Sequence, residues 1–138
     1  MADLFQTTII VSILAATVRI ATPLLLAALG ELVAERAGIL NLGVEGNMLM
    51  SAFAGFIFTY ISGSLWVGLL AAVLTGALMN LIMVFMAATL KVEQVVTGLA
   101  LNMLASGMSL FLYKAFFSGS GDKLPTVLIF EVVKIPLL

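Results

Sequence analysis

Ionisable and amide side chains inside long apolar stretches are the residues of this chain that could do chemistry. Arg19, Asn41, Glu45 and Asn102 all lie in or beside such stretches. A charge or an amide in apolar surroundings is costly, so such residues commonly line a polar pathway, gate it or pair with one another. We therefore predict Asn41, Glu45 and Asn102 to be pathway-facing or gating residues. For Arg19, a buried structural network with Glu31 or Glu35 is an equally good interpretation.

Other kinds of chemistry find little support in the composition. The chain has no His and no Cys, so the commonest metal ligands and proton-transfer groups are missing. No phosphate-binding G-x-x-x-x-G-K-[ST] segment occurs. A net charge of −1 gives no footprint for nucleic acid. We predict no catalytic residue, no metal site and no cofactor.

The elements that must position these residues are membrane helices. Apolar residues make up 63% of the 138 residues and charged residues only 9%, too few to cover a soluble surface. From Gly46 to Leu90 no side chain is charged, and this stretch as one helix would measure about 68 Å, twice the hydrocarbon thickness. The chain must turn within it, and Ser62-Gly63-Ser64 is the best place. The prediction is an all-α, polytopic transmembrane bundle of four to five spans.

The spans can be placed from the apolar runs and the polar breaks between them. They are a first span at about residues 4–29, a short or broken crossing at 31–46, spans at 47–61, 65–90 and 94–117, and a loop with an interfacial segment at 118–138.

Residues 30–46 leave two alternatives open. One helix beginning near Ala37 would carry Asn41 and Glu45 into the membrane. Alternatively, Gly30–Gly46 would form its own broken crossing. Irregular backbone at membrane depth is tolerated only inside protein or beside a water-filled cavity, so both alternatives bury this segment away from lipid.

Small residues recur at a spacing of four along the central spans. Ser51 and Gly55 form one such row, and Gly68, Ala72 and Gly76 form another. This spacing predicts close helix packing in lipid. Amides within spans, Asn80 and Asn102, are expected to hydrogen-bond across helices.

The stretch Ala21–Gly55, with its core E-R-A-G-I-L-N-L-G-V-E-G at Glu35–Gly46, resembles the N-terminal signature of permease subunits of bacterial ABC importers. The subgroup carries nucleosides and simple sugars and is related to the ribose and branched-chain amino acid permeases. K-V-E-Q-V-V-T-G-L-A-L-N (Lys91–Asn102) and K-I-P-L-L (Lys134–Leu138) are also similar to it. The signature positions are Glu35, Arg36, Gly38, Asn41, Gly43, Glu45 and Gly46.

The resemblance implies the first half of a type II ABC importer permease in a bacterial plasma membrane. Members of this family are more than twice as long, so we expect a truncated or split subunit that does not transport by itself. The expected partners are two ATP-binding subunits that hydrolyse ATP, a second permease subunit, an extracytoplasmic substrate-binding protein, a C-terminal permease fragment and the lipid bilayer. Nucleosides rank above sugars as the expected substrate.

Two other functions compete with the importer. A small secondary transporter that assembles with itself would use Glu45 as a coupling carboxylate. A membrane scaffold would have no pathway at all. A neighbouring gene for an ATP-binding subunit would favour the importer over both.

Overall fold

This computed structural model describes the backbone of residues 2–118 and the side chains of residues 8–118. Four long helices account for most of these residues. The helices are α1 (Ala2–Arg36), α2 (Val44–Ser62), α3 (Leu65–Val84) and α4 (Gln94–Phe117), and α3 continues into a π-helical turn at Phe85–Thr89. Residues 2–118 contain no strand. Each helix is long and apolar enough to cross a membrane. The prediction of an all-α, multi-pass membrane protein is confirmed, with four spans in this part of the chain.

The predicted loop and interfacial segment at 118–138 falls outside the described residues except for Ser118, which follows α4 directly. The chain divides into two compact units between Leu40 and Asn41. The first unit contains α1, and the second contains α2, α3 and α4.

Helix α1 runs for 35 residues and passes through Pro23 and Gly30 without ending. It ends at Arg36, and two residues later Gly38 takes a φ of +85°, which is open to glycine but strained for other residues. There the Gly38 N–H donates to the Glu35 carbonyl (2.9 Å) and the Ile39 N–H to the Ala34 carbonyl (3.0 Å). These two bonds are those of a Schellman motif, and they explain the glycine of the signature.

The continuity of α1 corrects the expected pairing of Arg19. On one helix, Arg19 and Glu31 are about 18 Å apart along the axis, too far for an ion pair. Glu35 lies one turn farther still. A network of Arg19 with Glu31 or Glu35 is therefore wrong.

Residues 30–46 fold in a third way, different from both alternatives above. Gly30–Arg36 completes α1, residues 37–43 form a non-helical turn, and α2 begins at Val44. Gly43 precedes α2 with a φ of −87°, and its carbonyl accepts the Asn47 N–H at 3.0 Å. We call residues 37–43 the entry turn.

Helices α2, α3 and α4 run up, down and up. Helix α2 ends at Ser62, Gly63 adopts the left-handed conformation and donates to the Thr59 carbonyl (2.9 Å), and α3 begins at Leu65, so the turn lies where the sequence predicts it. Helix α2 packs against both α3 and α4, which touch each other less. A small core of Met79, Met83, Leu101 and Ala105 lies between them.

The end of α3 is irregular. The Leu90 N–H donates to the Phe85 carbonyl at 3.3 Å, one residue beyond the usual helical partner. The Val92 N–H then donates to the Met86 carbonyl (3.2 Å), and Lys91 between them takes a left-handed φ of +52°. This tight turn brings the start of α4 to the same end of the unit as the start of α2.

Candidate functional site

All four asparagines of the chain converge at one end of the α2–α4 unit. Asn41 lies in the entry turn, Asn47 in the first turn of α2, Asn80 on α3 and Asn102 on α4. We call these four residues the amide cluster. The sequence separates them by up to 61 positions, so it is the up-down-up packing of the helices that brings them together.

Asn102 holds the junction between the entry turn and α2 through two backbone contacts. Its Oδ1 accepts the Gly46 N–H at 2.7 Å, and its Nδ2 donates to the Leu42 carbonyl at 3.0 Å. A turn and a helix start leave such backbone groups without helical partners. One side chain from α4 therefore satisfies two groups that would otherwise be unpaired in apolar surroundings.

Asn80 joins α3 to the same region. Its Oδ1 accepts hydrogen bonds from Asn41 Nδ2 (2.8 Å) and Asn47 Nδ2 (3.0 Å), and its own Nδ2 donates to the Gly76 carbonyl (3.1 Å). Asn41 Oδ1 in turn accepts the Gly43 N–H at 2.9 Å. Residues 41–43 of the entry turn are thus tied to α3 as well as to α4.

Glycines allow this close approach of backbones. A Cβ placed on Gly98 of α4 would lie 2.8 Å from the Gly43 nitrogen and 2.9 Å from the Leu42 carbonyl carbon. A Cβ placed on Gly46 would lie 2.8 Å from Asn102 Oδ1 and 2.9 Å from Asn102 Cα. All four distances are shorter than real Cβ contacts, so no larger residue fits at Gly46 or Gly98 unless the backbone moves. Packing against α4 therefore explains Gly46 of N-L-G-V-E-G, whereas a Cβ on Gly43 would first meet Asn41 Oδ1, at 3.1 Å.

Glu45 lies on a different face of the same helix turn. Its neighbours Gly43 and Gly46 are buried, whereas Glu45 is exposed. Among residues 2–118 it makes no hydrogen bond and no ion pair. A carboxylate in the first turn of α2 interacts favourably with the positive end of the helix dipole.

The structure therefore separates the three predicted site residues by environment. Asn41 is buried (5% exposed) and Asn102 half-buried, and both contact the backbone of the signature segment, whereas Glu45 faces outward. Glu35 and Arg36, in the last turn of α1, are exposed. The expected hydrogen bonding of Asn80 and Asn102 across helices is confirmed.

Sequence reasoning missed two members of this site, Asn47 and Gly98. Asn47 is 7% exposed and bonded to Asn80, and Gly98 contacts the entry turn. A usable signal was present for Asn47, because the chain has only four asparagines and all lie in apolar segments. Gly98 is one of twelve glycines, and its one signal is its place in the family-like stretch Lys91–Asn102.

Chemically, the amides of the site can bind other groups and hold them in place. Amide side chains donate and accept hydrogen bonds and do not titrate. The exposed carboxylate of Glu45 is the ionisable group of the segment 37–47. Such a site can fix the irregular backbone between two helices of membrane-spanning length and present one charge beside it.

Comparison with known proteins assigns this architecture to a family. Residues 13–132 match the permease component of the branched-chain amino acid transport system. No solved structure matches the chain.

Three curated relatives carry transport names. A putative glucose ABC transporter permease protein of Haloferax volcanii is 46% identical over 99 residues, 72% of this chain and 30% of the relative. A guanosine ABC transporter permease protein of Bacillus subtilis is 40% identical over 131 residues, 90% of this chain and 40% of the relative. A nucleoside ABC transporter permease protein of Lactococcus lactis is 30% identical over 102 residues, 70% of this chain and 32% of the relative. The chain spans between 30 and 40% of the length of these relatives.

Proposed function

Because the chain belongs to the family of permease components of branched-chain amino acid transport systems, we propose that it forms part of the membrane pathway of an ATP-driven importer of nucleosides or simple sugars. The substrate class rests on the relatives, of which one is named for guanosine, one for nucleosides and one for glucose. The match to the guanosine relative extends over 90% of this chain, which supports placing nucleosides first.

The observation that carries the proposal is the entry turn with its amide cluster. Irregular backbone near membrane depth is tolerated beside protein or a water-filled cavity. Here Asn41 and Asn102 bond that backbone and Asn80 bonds Asn41 and Asn47, so amides from four segments take the place of regular helical bonds. Burying several amides among apolar helices costs free energy, and a protein that only anchors others to the membrane has no need of them. The arrangement therefore fits a protein that conducts a polar solute.

Asn41, Glu45 and Asn102 take different parts in the proposal. Asn41 and Asn102 act as gating residues, because they hold the entry turn in place through its backbone. Glu45 faces the pathway, because it is exposed and lies beside the turn. Its carboxylate suits the hydroxyl and N–H donors of sugars and nucleosides.

The proposed partners follow from the ABC permease family. ATP-binding subunits would hydrolyse ATP and drive the switch between outward and inward access. An extracytoplasmic binding protein would deliver the solute, and a second permease subunit and a C-terminal permease segment would complete the pathway. This chain would supply helices and no hydrolytic residue.

Uptake in an importer-deficient bacterium tests the proposal. The chain is expressed with its ATP-binding subunits, its binding protein and the remaining permease segments, and uptake of labelled guanosine, uridine, ribose and glucose is measured. We expect ATP-dependent guanosine uptake that unlabelled nucleosides suppress. Ribose uptake without nucleoside competition would overturn the ranking of substrates. Uptake without ATP-binding subunits that follows the proton gradient would support a secondary transporter coupled through Glu45.

A further inference from the structure

One hydrogen-bond acceptor in the amide cluster has no donor. Asn47 is 7% exposed, its Oδ1 is shielded from solvent, and no group within residues 2–118 donates to it. The other three amide oxygens of the cluster all accept, and Asn80 Oδ1 accepts twice. A buried amide oxygen without a donor costs free energy, so this imbalance needs an explanation.

Exchanging the oxygen and nitrogen of an amide does not remove the imbalance, because backbone groups fix the orientation of the chain of amides. The Gly43 N–H requires Asn41 to present its oxygen there and its Nδ2 to Asn80. The Gly76 carbonyl requires Asn80 to present its Nδ2 there and its oxygen to the other two amides. Asn47 must therefore offer its Nδ2 to Asn80, and its oxygen remains unpaired.

Stability alone does not favour an asparagine at position 47. A leucine is similar in size and would bury apolar atoms where an unsatisfied oxygen now lies. The one side-chain bond that leucine would remove, from Asn47 Nδ2, goes to Asn80 Oδ1, which keeps Asn41 Nδ2 as its donor, so no buried group loses its last partner. The asparagine at position 47 is therefore better explained by a function in another arrangement of the amide cluster than by stability in this one.

We propose that Asn47 is a positioning residue for transport, whose Oδ1 accepts a hydrogen bond in a second arrangement of the entry turn. In that arrangement the Nδ2 of Asn41 turns from Asn80 Oδ1 to Asn47 Oδ1, so that each oxygen has one donor. Both nitrogens already contact the same oxygen, at 2.8 and 3.0 Å, so the exchange requires side-chain rotation and no separation of α2 from α3. The role in transport rests on the function proposed above.

Movement of Asn41 would carry the entry turn with it. Asn41 Oδ1 holds the Gly43 N–H, and Gly43 is the residue before α2. Glu45 lies two residues farther on, so the position of its carboxylate would change with the turn. Asn47 would thereby stabilise one of two positions of the segment that we assign to the pathway.

Two leucine variants, Asn47→Leu and Asn80→Leu, test the inference as a matched pair. Both remove an amide of the cluster. In the present arrangement the oxygen of Asn80 accepts two hydrogen bonds, whereas the oxygen of Asn47 accepts none. Each variant is purified with its full set of partners, its unfolding midpoint is measured, and its initial rate of uptake is measured over a range of solute concentrations.

We expect Asn47→Leu to unfold at or above the wild-type temperature and Asn80→Leu to unfold below it. We expect the maximal uptake rate of Asn47→Leu to fall about tenfold, corresponding to about 1.4 kcal/mol, with its half-saturating concentration unchanged. Such a pattern separates a conformational role from a structural one and from contact with the solute.

Three results would overturn the inference. Destabilisation of Asn47→Leu like that of Asn80→Leu would make Asn47 a structural residue. A stable Asn47→Leu with full uptake would leave it without a role. A rise in the half-saturating concentration alone would indicate solute contact. If the wild-type assembly takes up neither nucleosides nor sugars, the proposed function fails first, and the inference fails with it.

Discussion

The two ends of α2 approach their neighbours by opposite means. At the end near Gly63, α2 and α3 come together because side chains are small: a Cβ on Gly68 would overlap Thr59 Oγ1 and lie 2.7 Å from the Gly55 carbonyl. At the other end, the entry turn is held by the amide cluster. We call Ser51, Gly55, Thr59, Gly68, Ala72 and Gly76 the small-residue seam.

The seam has a simple register. Moving along α2 in steps of four residues, Ser51 faces Gly76, Gly55 faces Ala72 and Thr59 faces Gly68. One step of four in the opposite direction from Ser51 pairs Asn47 with Asn80, which are hydrogen-bonded at 3.0 Å. One helix–helix interface therefore changes from steric packing to amide bonding within four residues.

The difference shows how a membrane protein can combine a fixed contact with an adjustable one. Lipid is as apolar as leucine, so close van der Waals contact is what holds such helices together. Van der Waals packing of this kind is favourable in only one relative position of the two helices. Amides can exchange donors and acceptors while they stay in contact, and interhelical bonds of this kind are worth only about 0.6 kcal/mol each on average. We therefore propose that the seam holds the helices together and that the cluster also allows the movement of the entry turn inferred above.

The largest expected effect comes from filling the seam. Gly68→Ala places a methyl group against Thr59 Oγ1 and the Gly55 carbonyl, and because the carbonyl is backbone, the helices must separate. We expect a loss of about 1–3 kcal/mol in stability and a lower unfolding midpoint in detergent. Gly107→Ala on α4 is the control, because no atom lies within 4 Å of its Cβ position.

A second variant shows whether the hydroxyl or the backbone decides the effect. Adding Thr59→Ala to Gly68→Ala removes the overlap with Oγ1 and leaves the contact with the Gly55 carbonyl. We expect a partial recovery of the unfolding midpoint. If Gly68→Ala alone is as stable as Gly107→Ala, the seam is not the fixed contact we describe.

A smaller loss is expected from the cluster. Asn102→Leu leaves the Gly46 N–H and the Leu42 carbonyl without the partners they have here, and we expect about 1–2 kcal/mol of destabilisation. Proteolysis near the entry turn should also increase, because its backbone is released from α4. Ser106→Ala, which removes an exposed bond within α4, should change neither measurement. If the entry turn resists proteolysis equally in Asn102→Leu and Ser106→Ala, Asn102 does not hold the turn against α4.

Much of the fold could be predicted from sequence, because hydrophobic runs and glycine turns are local signals. The uncharged stretch Gly46–Leu90 and the turn at Gly63 predict the α2–α3 hairpin that the structure contains. The end of α1 was harder to predict. Gly30 resembles a helix stop, but an exposed glycine inside a long apolar helix costs only about 1 kcal/mol, and α1 continues to Arg36.

The site was predictable only in part. Asn41 and Asn102 stand out as polar residues in apolar segments, but their partners lie on other helices. Periodicity identifies the face of a helix and does not identify its neighbour, so the link from Asn41 through Asn80 to Asn47 has no sequence signal. The π-helical turn at Phe85–Thr89 likewise depends on how the chain folds back at Lys91.

The smallest expected change in stability comes from replacing Glu45. This variant distinguishes the two ends of α2 most sharply, because it should lower uptake without weakening helix packing. Glu45→Gln keeps the shape of the side chain and removes its charge. Since Glu45 is exposed and makes no bond within residues 2–118, we expect the unfolding free energy to change by less than about 0.5 kcal/mol. If Glu45 faces the pathway, uptake by the assembled importer should nevertheless fall, and Glu45→Asp should recover part of it. Unchanged uptake in Glu45→Gln would show that Glu45 has no role in transport and would leave the amide cluster as the candidate site. A large loss of stability would show that the carboxylate stabilises the fold.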